Sequence, residues 1–360
     1  MFNSIISSVD YVELYVANSY QAANFYKTVL GFDIVAYGGE ETGLANKKSY
    51  IIEQGKIRLI LSSPTEVNSS IHLHIMKHDD GVKDIAFLSE NVNESFQRAI
   101  DNGASPILYP IDIGEDNLTL KVASIACFGE TIHTFIQRKN NEKWFMPFYQ
   151  SFENGKSNSS VGLYEIDHIA IALEKEQLSI WQKFYKDTLG FQITHTEDVH
   201  TEYSGMNSVV MSNSTGNIKF PLVEPAGGTK KSQIENYLQH YSGAGVQHIA
   251  FLTNDIVSST QSLKKKGIQF LNIPSSYYNN MSANLSNEIK EKLPLLKELG
   301  ILIDTDSSGT LMQIFSKPLQ TRPTFFIELV ERNNKEGFGS RNIKALFEAI
   351  EKEQDKNKGL

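Results

Sequence analysis

An internal repeat limits what this chain can fold into more than any other feature. Residues 24–32 read Asn-Phe-Tyr-Lys-Thr-Val-Leu-Gly-Phe, and residues 183–191 read Lys-Phe-Tyr-Lys-Asp-Thr-Leu-Gly-Phe. Six of the nine positions are identical at an offset of 159 residues. A second pair, Gly81-Val82-Lys83-Asp84-Ile85-Ala86-Phe87 and Gly245-Val246-Gln247-His248-Ile249-Ala250-Phe251, agrees at five of seven. In a chain of 360 residues this offset predicts two duplicated units, each of ordinary domain size. The shared apolar and glycine positions imply a common framework. Asp84 against His248 is a mismatch of another kind, because one member is a strong metal ligand.

Within each unit the local pattern repeats. Val9–Ala17 alternates as a strand, and Tyr20–Leu30 carries apolar residues at helical spacing up to Gly31, which suits a helix stop. Strands follow at 32–36, 49–53 and 57–62. Ile166–Leu173, Gln177–Leu189 with Gly190, and strands at 191–196, 207–212 and 218–222 repeat the order. Each unit continues with a strand (82–88; 246–253), a helix ending in glycine (92–102 then Gly103; 256–266 then Gly267) and final strands (118–126 and 131–137; 309–315 and 324–330). The order strand–helix–strand–strand–strand thus occurs twice per unit. Such a module closes no large core alone, so pairing into curved sheets is expected. The expected organisation is a domain over 1–140, a polar linker over 141–162 and a second domain over 163–360. The second domain has an inserted helical stretch, 279–299. It ends in an amphipathic helix over 341–357, with Ile343, Leu346, Phe347 and Ile350 on one face.

Composition narrows the function classes. A net charge of −8 argues against a broad nucleic-acid or anionic-membrane surface. The single cysteine, Cys127, excludes an intrachain disulfide framework and reads as a buried small hydrophobe. No apolar run reaches membrane-span length and the N-terminus lacks a signal-peptide layout, so a cytoplasmic protein is expected. A homo-oligomer, dimer or tetramer, is the expected assembly.

Aligning the two units isolates three positions. Asp10-Tyr11-Val12 meets Asp167-His168-Ile169, Asp84 meets His248, and Thr134 meets Glu328, counting back four from Arg138 and Arg332. Tyr, Asp and Thr in the first unit face His, His and Glu in the second. All three lie in expected strands, so they can converge inside a curved sheet. Two imidazoles and one carboxylate form the ligand set of non-haem Fe(II) oxygenases, which leaves positions open for substrate and O2. Zinc or manganese would accept the same donors. A lone strand histidine is usually a satisfied core residue. Glu328 between Ile327 and Leu329 is harder to place that way, because a buried carboxylate needs a partner.

Other candidates are weaker. His72, His74 and His78 could bind a metal, but 69–80 is polar and is expected to be exposed. His133 reads as structural. Glu224–Ser232 is glycine-rich without phosphate-loop spacing, and no Gly-x-Ser-x-Gly elbow supports a hydrolase.

The runs Ile166-Asp-His-Ile-Ala, Gly243-Ala-Gly-Val-Gln-His-Ile-Ala-Phe, Phe325-Phe-Ile-Glu-Leu-Val-Glu-Arg and Gly337-Phe-Gly-Ser-Arg-Asn-Ile-Lys-Ala-Leu-Phe resemble the 4-hydroxyphenylpyruvate dioxygenase family, which includes 4-hydroxymandelate synthase. The resemblance covers Val9 to Gln354. It implies an α+β, vicinal-oxygen-chelate fold of paired βαβββ modules in two open barrel-like domains, with the C-terminal helix as a lid. It implies Fe(II) on His168, His248 and Glu328, and 4-hydroxyphenylpyruvate and O2 as the small-molecule partners. The substrate's own 2-oxo acid would chelate the metal. At matching positions it implies Gln247, Gln313, Phe315 and Asn342 as catalytic residues. Ser208, Pro221, Val223, Gln233, Phe338 and Ile343 would line the substrate pocket.

Two departures bear on the product. Val223 stands where homogentisate-forming members usually carry asparagine, and Ile343 where they carry phenylalanine. The synthases resemble this chain in having aliphatic residues at both, whereas Pro221 is the homogentisate-type residue. Losing an aromatic wall would let the ring tilt and bring its benzylic carbon to the oxidant. The expected product is therefore 4-hydroxymandelate, with homogentisate as the alternative. A metal-free small-molecule binding protein is the reading from a different class, and a zinc hydrolase a third.

Overall fold

The computed structural model describes residues 6–114, 119–138, 146–157, 160–279, 285–307, 309–335, 337–339 and 341–348. The first half runs β1 (Ile6–Tyr15), α1 (Ser19–Thr28), β2 (Asp33–Gly38), β3 (Lys47–Gln54), β4 (Ile57–Pro64), α2 (Ser70–His78), β5 (Gly81–Ser89), α3 (Val92–Asp101), β6 (Pro106–Ile113), β7 (Leu120–Ala126), β8 (Ile132–Arg138) and β9 (Gln150–Ser151). The second runs β10 (Leu163–Ala172), α4 (Leu178–Leu189), β11 (Gln192–His200), β12 (Gly205–Ser212), β13 (Lys219–Pro225), α5 (Gln233–Tyr241), β14 (Gly245–Thr253), α6 (Ile256–Lys265), α7 (Ser275–Asn279), α8 (Asn287–Leu299), β15 (Leu302–Asp306), β16 (Gly309–Phe315) and β17 (Phe326–Asn333). A last helix, α9, covers 341–348.

The repeated words encode the helix stops. Leu30 and Leu189 are fully buried, Gly31 and Gly190 adopt left-handed φ of 79° and 72°, and Phe32 and Phe191 turn into the core. A β-carbon would resist that left-handed turn, so glycine recurs there. Helix starts are fixed by side chains: Asn18, Asn91 and Asp255 accept from Gln21, Glu94 and Ser258 backbone N–H groups at 3.0, 3.3 and 2.9 Å.

Each half forms one sheet. The first has strand order β6-β7-β8-β5-β1-β4-β3-β2-β9, the second β11-β12-β13-β10-β14-β17-β16-β15. In every module the first and last strands pair in parallel: β1 with β4, β5 with β8, β10 with β13, β14 with β17. Modules join through the antiparallel pairs β1–β5 and β10–β14. These are the paired βαβββ modules of the α+β, vicinal-oxygen-chelate fold.

Strand alternation sorts the side chains. Val12, Leu14, Ile169 and Ile171 enter the main core, which combines residues of both halves and includes the helix residues Ala23, Tyr26, Tyr185 and Leu189. The opposite sheet faces carry smaller clusters, Tyr11, Ile60, Ala86 and Ile136 in one half and Ala172, Val223, Ile234 and Phe347 in the other.

Three features depart from the sequence reading. The modules of each half are bridged by helices, α2 and α5, where none was expected. The third strand that the expected order requires in each second module, β6 or β15, falls outside the ranges read from the sequence, and β6 is an edge strand with Pro106 and Pro110 and exposed Ile107 and Tyr109. Prolines and outward apolar residues hid its strand character. Inside the expected linker, β9 pairs with β2. Of the apolar face expected in the tail, Ile350 lies outside the described residues. Among the described residues no helix is long and apolar enough to cross a membrane.

Candidate metal centre

The central strands of the second sheet bring the three isolated positions together. His168 on β10 is paired with Ala250 on β14, and Ala250 with Glu328 on β17, while His248 lies two residues back along β14. Two long side chains therefore lean from the flanking strands over a methyl group, and an imidazole joins them on the same face. His168 Nε2 lies 3.0 Å from Glu328 Oε2 and 3.3 Å from His248 Nε2; His248 Nε2 lies 3.3 Å from the same Oε2. All three residues are buried. Ligand bonds of about 2.1 Å at right angles put ligand atoms about 3.0 Å apart, so the three atoms form one face of a coordination polyhedron.

The first sheet preserves the register without the ligands. Tyr11 pairs with Ala86, and Ala86 with Thr134. There the three side chains bond to one another: Tyr11 and Thr134 hydroxyls donate to Asp84 Oδ2 at 3.2 and 2.6 Å. Burial pushes the Asp84 carboxyl up to about 7, against the pull of the Thr134 hydrogen bond.

A bulge sets the support behind His168. The β10–β14 ladder slips between Ile166 and His168, and the β1–β5 ladder slips at the same place, between Val9 and Tyr11. The extra residue is an aspartate in both halves. Skipping one pairing lets Asp167 share a side with His168, so that Oδ2 meets His168 Nδ1 at 2.8 Å. Arg332 clamps the same carboxylate through Nε and Nη2, each at 2.7 Å, as Arg138 clamps Asp10 at 2.6 Å. With Nδ1 engaged, His168 presents Nε2 to the centre.

Electrostatics follow from burial and these partners. Burial disfavours a charged Glu328, but the imidazoles override it and hold the carboxyl at about 2. Burial lowers His248, whereas at His168 it is outweighed by Glu328 and then Asp167, and the pKa rises. A buried anion aimed at two ring nitrogens is what a divalent cation would neutralise, so the donor set fits a metal.

A chain of amides extends from the carboxylate. Gln313 Nε2 donates to Glu328 Oε1 at 2.8 Å, and Asn342 Nδ2 donates to Gln313 Oε1 at 2.7 Å. Tyr277 hydroxyl donates to Asn342 Oδ1 at 2.5 Å and accepts from the Ile303 N–H at 2.8 Å. This chain ties α9 to the centre. The Phe338 ring lies 5.1 Å from His168, and Phe326 stacks on His248 at 4.8 Å with Phe315 at 6.2 Å. Gln247 Oε1 is 3.4 Å from His248 Nδ1.

The remaining expected pocket residues lie nearby in the sheet. Ser208 is paired with Val223 and Val210 with Pro221, and all four are buried. Val223 and Ile343 belong to one apolar cluster with Phe347, Met206 and Ile234. Gln233 is buried beside that cluster, and its Oε1 has no hydrogen-bond partner among the described residues.

The sequence reading missed Asp167, Arg332, Tyr277 and Phe326. Asp167 and Arg332 matched their first-half counterparts and so read as scaffold. It also misplaced the histidines at 72–78. They lie on α2, where His74 and His78 are buried, rather than on an exposed segment. His133 is buried, with Nε2 2.9 Å from Tyr185 hydroxyl, and Cys127 Sγ lies 3.3 Å from the same oxygen, so both are core residues.

Comparison with known proteins agrees with this geometry. The Glyoxalase/Bleomycin resistance protein/Dioxygenase superfamily profile matches residues 165–292. The 4-hydroxyphenylpyruvate dioxygenase of Yarrowia lipolytica is 39% identical over 366 residues, covering 98% of this chain and 93% of that protein. The enzyme of that name from Dictyostelium discoideum is 38% identical, covering 96% and 98%. The solved structure of a triple mutant of 4-hydroxymandelate synthase from Streptomyces coelicolor superposes with a TM-score of 0.89 at 30% identity, covering 97% of this chain and 99% of that one.

Proposed function

This chain belongs to the 4-hydroxyphenylpyruvate dioxygenase family, and from that premise we propose that it binds Fe(II) through His168, His248 and Glu328 and converts 4-hydroxyphenylpyruvate and O2 into homogentisate and CO2. The observation that carries the reading is the buried ligand face of three atoms within 3.0 to 3.3 Å of one another. We assign catalysis to a domain over 163–360 and a supporting role to the ligand-free domain over 1–140, joined through 141–162.

Iron bound there supplies open positions at which the 2-oxo acid and O2 meet. The protein's own groups do the positioning. Asp167 fixes the His168 ring, and Gln313 occupies Glu328 Oε1, leaving Oε2 for the metal. Asn342, held by Tyr277, orients Gln313 and closes α9 over the centre as a lid. Phe338, Phe315 and Phe326 exclude water from the imidazoles, and Gln247, Gln233 and Ser208 offer polar contacts to the substrate. The apolar cluster of Val223, Ile343 and Phe347 receives the aromatic ring.

Both candidate products share one composition, and both consume one O2 and release one CO2. Homogentisate is favoured over the hydroxymandelate expected from the sequence because relatives 38–39% identical bear the dioxygenase name, while the synthase structure is 30% identical. Val223 and Ile343, both aliphatic in one cluster, support hydroxymandelate as the second reading. The test of the metal assignment is anaerobic loading with Fe(II). Wild type should hold one iron and turn over 4-hydroxyphenylpyruvate. His168→Ala should lose both properties, and unchanged turnover in that variant would refute the assignment.

A further inference from the structure

A second cluster with metal-ligand chemistry lies in the half that lacks the triad, at the seam between the halves. His74 and His78 stand four residues apart on α2, one turn apart on one face, the spacing by which two histidines share an ion. Glu130, in the β7–β8 turn, places Oε2 3.4 Å from His74 Nδ1 and 3.3 Å from His78 Nε2. These contacts lack hydrogen-bond geometry: among the described residues neither nitrogen of His74, nor His78 Nε2, has a hydrogen-bond partner. His74 and His78 are 4% and 1% exposed, so water does not readily satisfy them. We propose that His74, His78 and Glu130 form a zinc site that fastens α2 to the rest of the molecule.

Geometry favours zinc. Tetrahedral bonds of about 2.05 Å separate ligand atoms by about 3.35 Å, and both observed separations match. His78 has the support of a metal ligand. Its Nδ1 contacts the Tyr241 carbonyl of the second half at 2.5 Å, leaving the Nε2 lone pair for the ion. Burial holds His74 neutral, with a pKa lowered to about 4. Lys77 takes the other carboxylate oxygen of Glu130 at 2.6 Å, and Lys83 donates to the Glu130 backbone carbonyl. These ammonium groups disfavour calcium and magnesium, which rely on anionic oxygens, more than an ion that binds neutral imidazole. Arg322 of the second half donates to the Lys77 and Met76 carbonyls at 2.7 and 3.2 Å, so an ion here would add to a contact that already joins the halves.

The test counts metal. Full-length protein is stripped with chelator, dialysed against zinc chloride near neutral pH, and zinc per chain is measured by plasma mass spectrometry. Zinc also fits the His168 triad, so wild type should hold two equivalents and His168→Ala one. In the His168→Ala background, adding Glu130→Ala at a half-exposed side chain, or His74→Leu, should weaken the remaining zinc by tenfold or more. Cobalt(II) in that background should show the visible absorption of a tetrahedral site and lose it with either change. Loss of all zinc in His168→Ala, or a remaining equivalent there that survives both substitutions, would overturn the proposal. Neither result bears on whether the His168 triad holds iron.

Discussion

Asp84 offers a quantitative test of how the first half fills with hydrogen bonds the positions equivalent to His168, His248 and Glu328. Its carboxyl is buried at the position equivalent to His248, accepts from Thr134 and Tyr11 on Oδ2, and has no partner for Oδ1 among the described residues. Burial raises it from an ordinary 3.8 to about 7. The folded state therefore holds this proton more tightly than the unfolded chain. The contribution to stability is fully present below pH 3.8, falls as pH rises through the interval to about 7, and is constant above it. At about 1.4 kcal/mol per pH unit the interval corresponds to about 4 kcal/mol. Asp84→Asn removes the titration and keeps one oxygen for Thr134 and Tyr11. Its new amide hydrogens have no acceptor, a cost of about 1–3 kcal/mol that does not vary with pH. The stability of the variant relative to wild type should thus move in the variant's favour by about 4 kcal/mol between pH 4 and pH 8. Urea unfolding of both proteins across that range measures it, and the other titrating groups cancel in the difference. A relative stability that stays flat within about 0.5 kcal/mol would refute the buried-carboxyl reasoning.

Other consequences can be checked at the candidate centre. Asp167→Asn removes the negative charge behind His168 and leaves one oxygen where His168 and Arg332 used two; iron affinity should fall by about 10–100-fold, measured by competition with a chelator. Tyr277→Phe removes the hydroxyl that holds Asn342 Oδ1 and so loosens α9 over the centre, and kcat/KM should fall with iron content unchanged; an equal fall in iron would place Tyr277 in metal retention instead. Val223→Asn with Ile343→Phe should raise the ratio of homogentisate to 4-hydroxymandelate, and an unchanged ratio would show that this cluster does not steer the ring.

The candidate centre was legible because duplication supplied an internal control. His168, His248 and Glu328 stand out only where Tyr11, Asp84 and Thr134 do not match them, and strand register confirms the correspondence. The same comparison concealed Asp167 and Arg332, since a brace present in both halves looks like framework. Tyr277 lies on α7, just ahead of the inserted stretch, with no first-half counterpart to compare. His74 and His78 were misjudged because a polar segment reads as exposed unless the covering surface is known, and part of that surface, Tyr241, lies 163 residues from His78. The helix stops at Gly31 and Gly190 were readable because they are local, whereas β6 was missed because an edge strand with two prolines lacks an inward apolar face.

We propose a dioxygenase that forms homogentisate at a His168–His248–Glu328 iron centre. Its most direct test is to incubate the Fe(II)-loaded protein with 4-hydroxyphenylpyruvate in air and identify the product. Homogentisate and 4-hydroxymandelate are isomers, so mass alone does not separate them, and proton NMR does. The expected product shows three ring protons on a trisubstituted ring with an intact side-chain methylene. A para-disubstituted ring with a benzylic CH–OH as the main product would contradict it.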